Sequence, residues 1–210
     1  MINRSAASVF LFLAIAPAVS AQDGKGIIDW SGPYIGATVG AGGGLFTEPR
    51  LSASQTLTGH SLGIAGGYNW HHGSVLFGLE ADYQLSSIDR SNSFSGVTTT
   101  TALKSMGSLR ARLGVPLGPV LPYVTAGVAL GEGKIWSEGL LGQNLDLTRW
   151  HSGPVIGAGV EVALTEAVSL KTEVLHYKFT TQRYVQPSVS VNSDLGWSAT
   201  VARLGLNLRF

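Results

Sequence analysis

Taken two residues at a time, most of the chain alternates between apolar and polar or small positions. Ile35, Ala37, Val39 and Ala41 alternate with Gly36, Thr38 and Gly40. In a second segment Leu62, Ile64, Gly66, Tyr68 and Trp70 lie opposite Ser61, Gly63, Ala65, Gly67 and Asn69, and in a third Val75, Phe77, Leu79, Ala81, Tyr83 and Leu85 lie opposite Gly78, Glu80, Asp82 and Gln84. A fourth places Gly107, Leu109, Ala111, Leu113 and Val115 against Lys104, Ser108, Arg110 and Arg112. A fifth, Tyr123 to Gly131, sets Val124, Ala126, Val128 and Leu130 against Thr125, Gly127 and Ala129. The sixth opposes Ile156, Ala158, Val160, Val162 and Leu164 to Gly157, Gly159 and Glu161, and the seventh Val168, Leu170, Thr172 and Val174 to Ser169, Lys171 and Glu173. The last opposes Ala202, Leu204, Leu206, Leu208 and Phe210 to Arg203, Gly205, Asn207 and Arg209. Successive strand residues point to opposite faces, so a period of two predicts strands.

The connections carry their own signal. Long gaps (42–58, 86–102, 132–150 and 180–195) alternate with short ones at His71-His72-Gly73, Pro116–Pro119 and Thr165-Glu166. Long loops on one side and tight turns on the other describe an up-and-down bacterial barrel, with roughly 9–11 residues per tilted membrane strand. The long gaps suit solvated surface loops, and the third, 132–149, is left open between a loop and an extension of its hairpin well above the membrane.

Composition decides what the apolar face touches. Only 13% of the 210 residues are charged and 28 are glycine, yet after the first residues no apolar run is long enough for a membrane helix. A membrane chain without such helices must close its strands into a barrel, where every backbone group finds a partner. The predicted fold is therefore all-β, an eight-stranded antiparallel up-and-down transmembrane β-barrel. With no cysteine, disulfides and thiolate metal sites are excluded.

The first residues read as an address. Arg4 precedes an apolar run from Ala6 to Ala18, and Val19-Ser20-Ala21 supplies the small residues of a cleavage site. An uncleaved anchor is the alternative, but the run is short for a span. The expected division is a signal peptide over 1–21, a short periplasmic segment over 22–32, whose stretch from Gln22 to Asp29 is too small to act as a plug, and the barrel over 33–210. Arg4 is the one charge in the signal, so 13 basic and 13 acidic residues follow it. That balance gives no polyanion-binding surface and argues against nucleic acid.

The inward-facing charges are the main candidate chemistry. Glu80, Asp82, Arg110 and Arg112 come from strands three and four, and Glu161, Lys171, Glu173 and Arg203 from strands six to eight. Facing lipid, each would cost about 2–4 kcal/mol at the midplane. Facing one another, they can pair inside a lumen just wide enough for side chains. One reading is a polar core that holds the barrel shut; the other is a narrow pore for small solutes. Inward glycines (Gly36, Gly63, Gly78, Gly127, Gly157 and Gly159) leave either water-filled space or room for long arginines.

Other motifs weaken on inspection. His60, His71, His72, His151 and His176 are scattered along the chain with no metal-ligand spacing. His151-Ser152 suggests a hydrolase, but neighbours on a strand point to opposite faces, and Glu138 or Asp146 as a third member is a guess. Gly40–Gly44 and Gly63–Gly67 superficially look like phosphate loops without the helix that such loops require. No enzyme activity, cofactor or metal is expected. Trp30, Trp70, Tyr123 and Phe210 at one end, and Trp150, Tyr177, Phe179 and Trp197 at the other, suggest two aromatic belts.

Four segments, DWSGPYIGATVGAG, GYNWHHGSVLFGLEADYQLS, SLRARLGVPLGPVLPYVTAGVALG and VARLGLNLRF, occur in an order that resembles the small porin-like or immunogenic outer-membrane proteins of alphaproteobacteria. These belong among the OmpA-like eight-stranded barrels. The resemblance implies a structural or surface-antigen role in the cell outer membrane, a porin-like channel, or loop-mediated haemin or host binding. It also implies that Leu204, Leu206, Leu208 and Phe210 form the C-terminal signal read by the barrel-assembly machinery. The implied partners are that machinery, periplasmic chaperones, outer-membrane lipid and lipopolysaccharide.

Overall fold

The computed structural model describes residues 28–48, 53–94, 97–140, 143–186 and 191–210. The expected signal peptide and most of the segment after it lie outside these residues. Eight strands follow in chain order: β1 (Gly32–Glu48), β2 (Ala53–His72), β3 (Val75–Phe94), β4 (Val97–Gly114), β5 (Val120–Leu140), β6 (Gln143–Ala163), β7 (Val168–Gln186) and β8 (Val191–Arg209). Each pairs antiparallel with its neighbours, and β1 meets β8 from Tyr34↔Arg209 to Thr47↔Gly196, closing the barrel.

The alternation described above sets which face looks out. Ile64, Leu109, Val128 and Ile156 project from the wall, while Thr38, Glu80, Thr125 and Lys171 point into the lumen. The outward apolar band runs from Val75 to Leu85 on β3 and from Ile156 on β6 to Leu164 just past its end. That matches the roughly 9–11 residues a tilted strand needs to cross hydrocarbon. At the short-turn end, Gly73 and Gly118 adopt φ of 62°, the left-handed conformation that suits glycine in a tight turn.

Two expectations need correction. The long gaps are largely strand: β5 and β6 stay paired up to Leu140↔Gln143, and β3 and β4 up to Phe94↔Val97. The strands thus continue past the apolar band as hairpins. Lys104 faces outward, not into the lumen. A bulge between Leu103 and Ser105 inserts one residue into β4 and reverses the phase above Met106.

Candidate functional site in the lumen

The eight inward charges form one buried cluster. Glu80 and Arg110 sit opposite each other on β3 and β4 and are joined by a salt bridge. Arg110 also reaches Asp82 (3.1 Å) and crosses the lumen to Glu173 on β7 (3.1 Å). Lys171 Nζ donates to Glu80 across the lumen at 2.8 Å, although its neighbour in the wall is Glu161. Glu161 is held instead by Arg112 (2.8 Å), Ser169 (2.5 Å) and Asn207 (2.8 Å). Arg203 donates to Asp82 at 3.0 Å, and Ser108 donates to the other oxygen of that carboxylate. Four acids and four bases therefore compensate one another, each at most 8% exposed.

Phenols connect these pairs. Tyr34 donates to Glu80 (2.7 Å) and accepts from Arg112 (3.2 Å), and Tyr123 donates to Glu173 (3.2 Å). The Arg112 guanidinium stacks 4.2 Å from the Tyr123 ring centre, and Arg203 donates to the Tyr177 hydroxyl. Stacking of this kind favours arginine over lysine at these positions.

The inward glycines make room for these side chains. A Cβ on Gly159 would lie 2.6 Å from Cζ of Tyr123, and one on Gly78 would lie 2.8 Å from Cγ of Arg112. A Cβ on Gly67 would strike the Tyr34 ring at 2.6 Å. At these three glycines the volume left in the wall is occupied by arginine and tyrosine, while a Cβ on Gly36 would meet Asn207, one on Gly63 Gln84 and one on Gly157 Leu175.

Apolar layers close both ends of the charged compartment. Toward the long hairpins lie Ile88, Met106, Val155, Leu175, Tyr177 and Phe179, with Leu103, Ala129, Ala199 and Val201 around them. Toward the short turns lie Trp30, Leu76, Leu121 and Ala163. Trp30, just before β1, is fully buried; it donates from Nε1 to the Gly118 carbonyl (3.1 Å), and its own carbonyl accepts from Asn69 (3.0 Å). The Arg209 guanidinium lies 4.4 Å from its ring centre and donates to the Thr165 carbonyl at 2.8 Å. Trp30, just beyond the stretch 22–29 read as too small for a plug, therefore fills the short-turn end of the lumen. Beside it, the exposed Asp29 carboxylate accepts from the Ser31 hydroxyl (2.6 Å) and N–H (2.9 Å), which lowers its pKa.

Three of the seven described belt aromatics face outward as expected, and four do not. Trp70, Trp150 and Phe210 face outward, but Trp30, Tyr123, Tyr177 and Phe179 are buried in the lumen; the side chain of Trp197 is outside the described ones. His151 points in and Ser152 points out, so that pair is split across the wall, and the side chains of Glu138 and Asp146 are outside the described ones. Sequence reasoning missed Tyr34, Tyr123, Asn207 and Trp30 as partners of the charges. Three of these four, Tyr34, Tyr123 and Asn207, occupy positions in phase with the inward charges, which was the available signal. Leu204, Leu206, Leu208 and Phe210 line the outward face of β8.

A closed antiparallel barrel with an aliphatic outer band and a filled, ionic interior is a membrane-spanning barrel. The chain belongs to the family described as outer membrane protein beta-barrel domain, which it matches over residues 6–210. It is an outer-membrane protein, and its lumen is closed by a buried charge network. It is 32% identical to the 31 kDa outer-membrane immunogenic protein of Brucella melitensis, over 99% of this chain and 94% of that one. It is 28% identical to a 22 kDa outer membrane protein of Rhizobium leguminosarum, over 86% of this chain and 78% of that one. Among solved structures, the fold resembles Neisserial surface protein A (TM-score 0.53, 16% identity, 86% of this chain and 98% of that one). It also resembles Ail of Yersinia pestis (TM-score 0.50, 14% identity, 85% and 99%).

Proposed function

We propose that the protein is a non-conducting structural barrel of the outer membrane that displays its extended hairpins at the cell surface as antigens. The observation that carries this reading is the compensated charge cluster sealed between two apolar layers. An ion entering the lumen would have to displace Trp30 at one end and the Tyr177–Phe179 stack, with ring centres 6.0 Å apart, at the other. It would also have to break buried ion pairs, and stranding one partner of such a pair costs about 3–5 kcal/mol. The immunogenic relatives from Brucella support the surface role, and the fit of His151-Ser152 to opposite faces supports a protein without enzyme activity.

In the same reading, residues 1–21 direct export and are removed, and periplasmic chaperones deliver the chain to the barrel-assembly machinery. Leu204, Leu206, Leu208 and Phe210 supply the signal that machinery reads, and lipopolysaccharide surrounds the outer half of the wall. The test is single-channel recording of the refolded chain from residue 22 in a planar bilayer. The expected result is silence from a barrel verified as folded by heat-modifiable gel mobility. Discrete openings in the parent, altered in size by Arg110→Ala or Glu80→Ala, would replace this reading with a narrow pore lined by the charges.

A further inference from the structure

One seam of the wall ends early. Starting from the short turns, β2 and β3 stay paired up to Thr58↔Asp89, β4 and β5 up to Thr98↔Glu138, and β8 and β1 up to Thr47↔Gly196. β6 and β7 pair only from Ala163↔Ser169 to Val155↔Tyr177, although β6 begins at Gln143 and β7 continues to Gln186. Pro154, next in line, has no N–H to offer a ladder. Beyond it, among the described residues, two extended edges run on without pairing to each other. The notch is narrow at its base, where a Cβ on Gly153 would lie 2.7 Å from Cα of Phe179.

The notch opens at a definite height. Ile156 on β6 and Val174 on β7 are the last outward aliphatic residues of the membrane band. Next come Pro154, Ser152 and Trp150 on β6, and His176 and Lys178 on β7, all exposed. Unpaired backbone groups are not tolerated in hydrocarbon, so this seam ends where polar headgroups begin. Among the described side chains, Lys178 makes no ion pair, and no acid stands at the outward positions of β6, β7 or β8 at this height. Elsewhere on the rim, Lys104 and Lys134 share their sector with Asp89 and Glu132.

We propose that this notch binds the phosphorylated saccharide headgroup of a glycolipid in the outer leaflet. The inference rests on the lipopolysaccharide partnership given above and assigns it a place. Lys178 supplies a compact cation for a phosphate, with His176 beside it. The unpaired N–H and C=O groups of the two edges suit sugar hydroxyls and amides, which both donate and accept. Trp150, 55% exposed, presents an apolar ring with a polar edge at the boundary where the saccharide begins. A plain phospholipid offers the phosphate but leaves the edges without partners.

The test titrates fluorescent rough lipopolysaccharide into the folded full barrel in detergent, beside the same lipid stripped of phosphate and beside phosphatidylglycerol micelles. Lys178→Glu is expected to weaken binding about tenfold, as is removal of the phosphates. Trp150→Ala is expected to weaken it less, and Lys104→Glu on β4 to stay within about twofold of the parent. Each variant is first checked for folding by gel mobility, with Lys178→Gln as the substitute if Lys178→Glu does not fold. Tight binding unaffected at Lys178 would overturn this site and leave the lipopolysaccharide partnership standing. No binding by the parent would overturn both. Equally tight phosphatidylglycerol would remove the saccharide from the site and overturn the proposal.

Discussion

The lumen holds two compartments of the same barrel, built on opposite principles. Nearer the short turns, four acids and four bases from β3, β4, β6, β7 and β8 fill the space with ion pairs spanning its width. Toward the hairpins, Leu175, Met106, Val155 and Phe179 fill the same cross-section with aliphatic and aromatic atoms. The outer surface around the charged compartment remains aliphatic. A barrel wall therefore does not dictate the chemistry of its filling. The difference lies in how each compartment fails: a packed layer loses contacts locally, whereas an ionic layer loses a partner and leaves a buried charge behind.

Removing one charge is the strongest way to break the comparison. Arg110 faces Glu80, Asp82 and Glu173 at once. Arg110→Ala is expected to destabilise the folded barrel by about 3–5 kcal/mol, since its carboxylates stay buried without a cation. Urea unfolding in detergent, followed by tryptophan fluorescence, reads this directly; a midpoint equal to the parent would show that water already reaches the cluster. Replacing Glu80 by Gln in the same chain should recover part of the loss, because one stranded charge disappears.

The matching cut in the apolar compartment is Leu175→Ala. Leu175 is fully buried among Met106, Val155 and Val201. The expected loss is about 2–5 kcal/mol, made of lost transfer energy and an unfilled cavity. The two variants should separate by pH. Acid that protonates carboxylates should reduce the penalty of Arg110→Ala relative to the parent and leave that of Leu175→Ala in place. Parallel pH profiles would mean that the compartments are not electrostatically distinct.

How much of this was legible in the sequence follows from where the wall separates two environments. Across the membrane band one face meets lipid and the other a polar lumen, so alternation is strict, and Glu80, Arg110, Glu161 and Arg203 could be placed inward by phase alone. Above the band the alternation of the sequence fades, and strand continuing to Phe94 or Leu140 reads as loop. Lys104 was misplaced because a bulge carries no residue signature of its own. Tyr123, Tyr177 and Phe179 were assigned to membrane belts because an aromatic near a boundary suits either face, and the depth argument outweighed their inward phase. Trp30 lies before the first alternating segment, where no phase exists to read. The pairing of Lys171 with Glu80 rather than with its wall neighbour Glu161 depends on lumen width, which one strand's pattern does not contain.

A smaller effect sharpens the claim that glycines make room for the charged layer. Gly159 lies beneath the Tyr123 ring, whose hydroxyl donates to Glu173. Gly159→Ala adds one methyl group 2.6 Å from Cζ of that ring and is expected to cost about 1–3 kcal/mol through overpacking. The combination Gly159→Ala with Tyr123→Phe should still be strained, because the clash is with the ring as well as its hydroxyl. Gly159→Ala with Tyr123→Leu should relieve only the part due to the ring, because the same Cβ lies 2.6 Å from the Thr172 carbonyl oxygen on β7. Were Gly159→Ala alone as stable as the parent, the glycines would instead be bordering empty space.

The smallest effect belongs to Lys104, at the bulge that turns β4 outward. Outward on the rim, it takes no part in the compensated cluster of eight, so Lys104→Ala is expected to shift stability by no more than about 0.5 kcal/mol. The same substitution at an inward position of β4, such as Arg112, should cost several times more, because Arg112 holds Glu161 and stacks on Tyr123. Seven residues, Ser105 to Ala111, separate Lys104 from Arg112 along β4, and only the inserted residue at the bulge sets the two on opposite faces. Deleting Lys104 outright tests that cause. With the inserted residue gone, Ser105 follows Leu103 directly, and Leu103↔Gly133 and Ser105↔Glu132 become consecutive rungs that leave Leu103 facing the lumen beside Ile88, so the deletion is expected to cost no more than about 1 kcal/mol beyond Lys104→Ala. A loss severalfold larger than that of Lys104→Ala would mean that the strand shifts instead of closing the bulge, and that the layer at Ile88 loses its Leu103 neighbour.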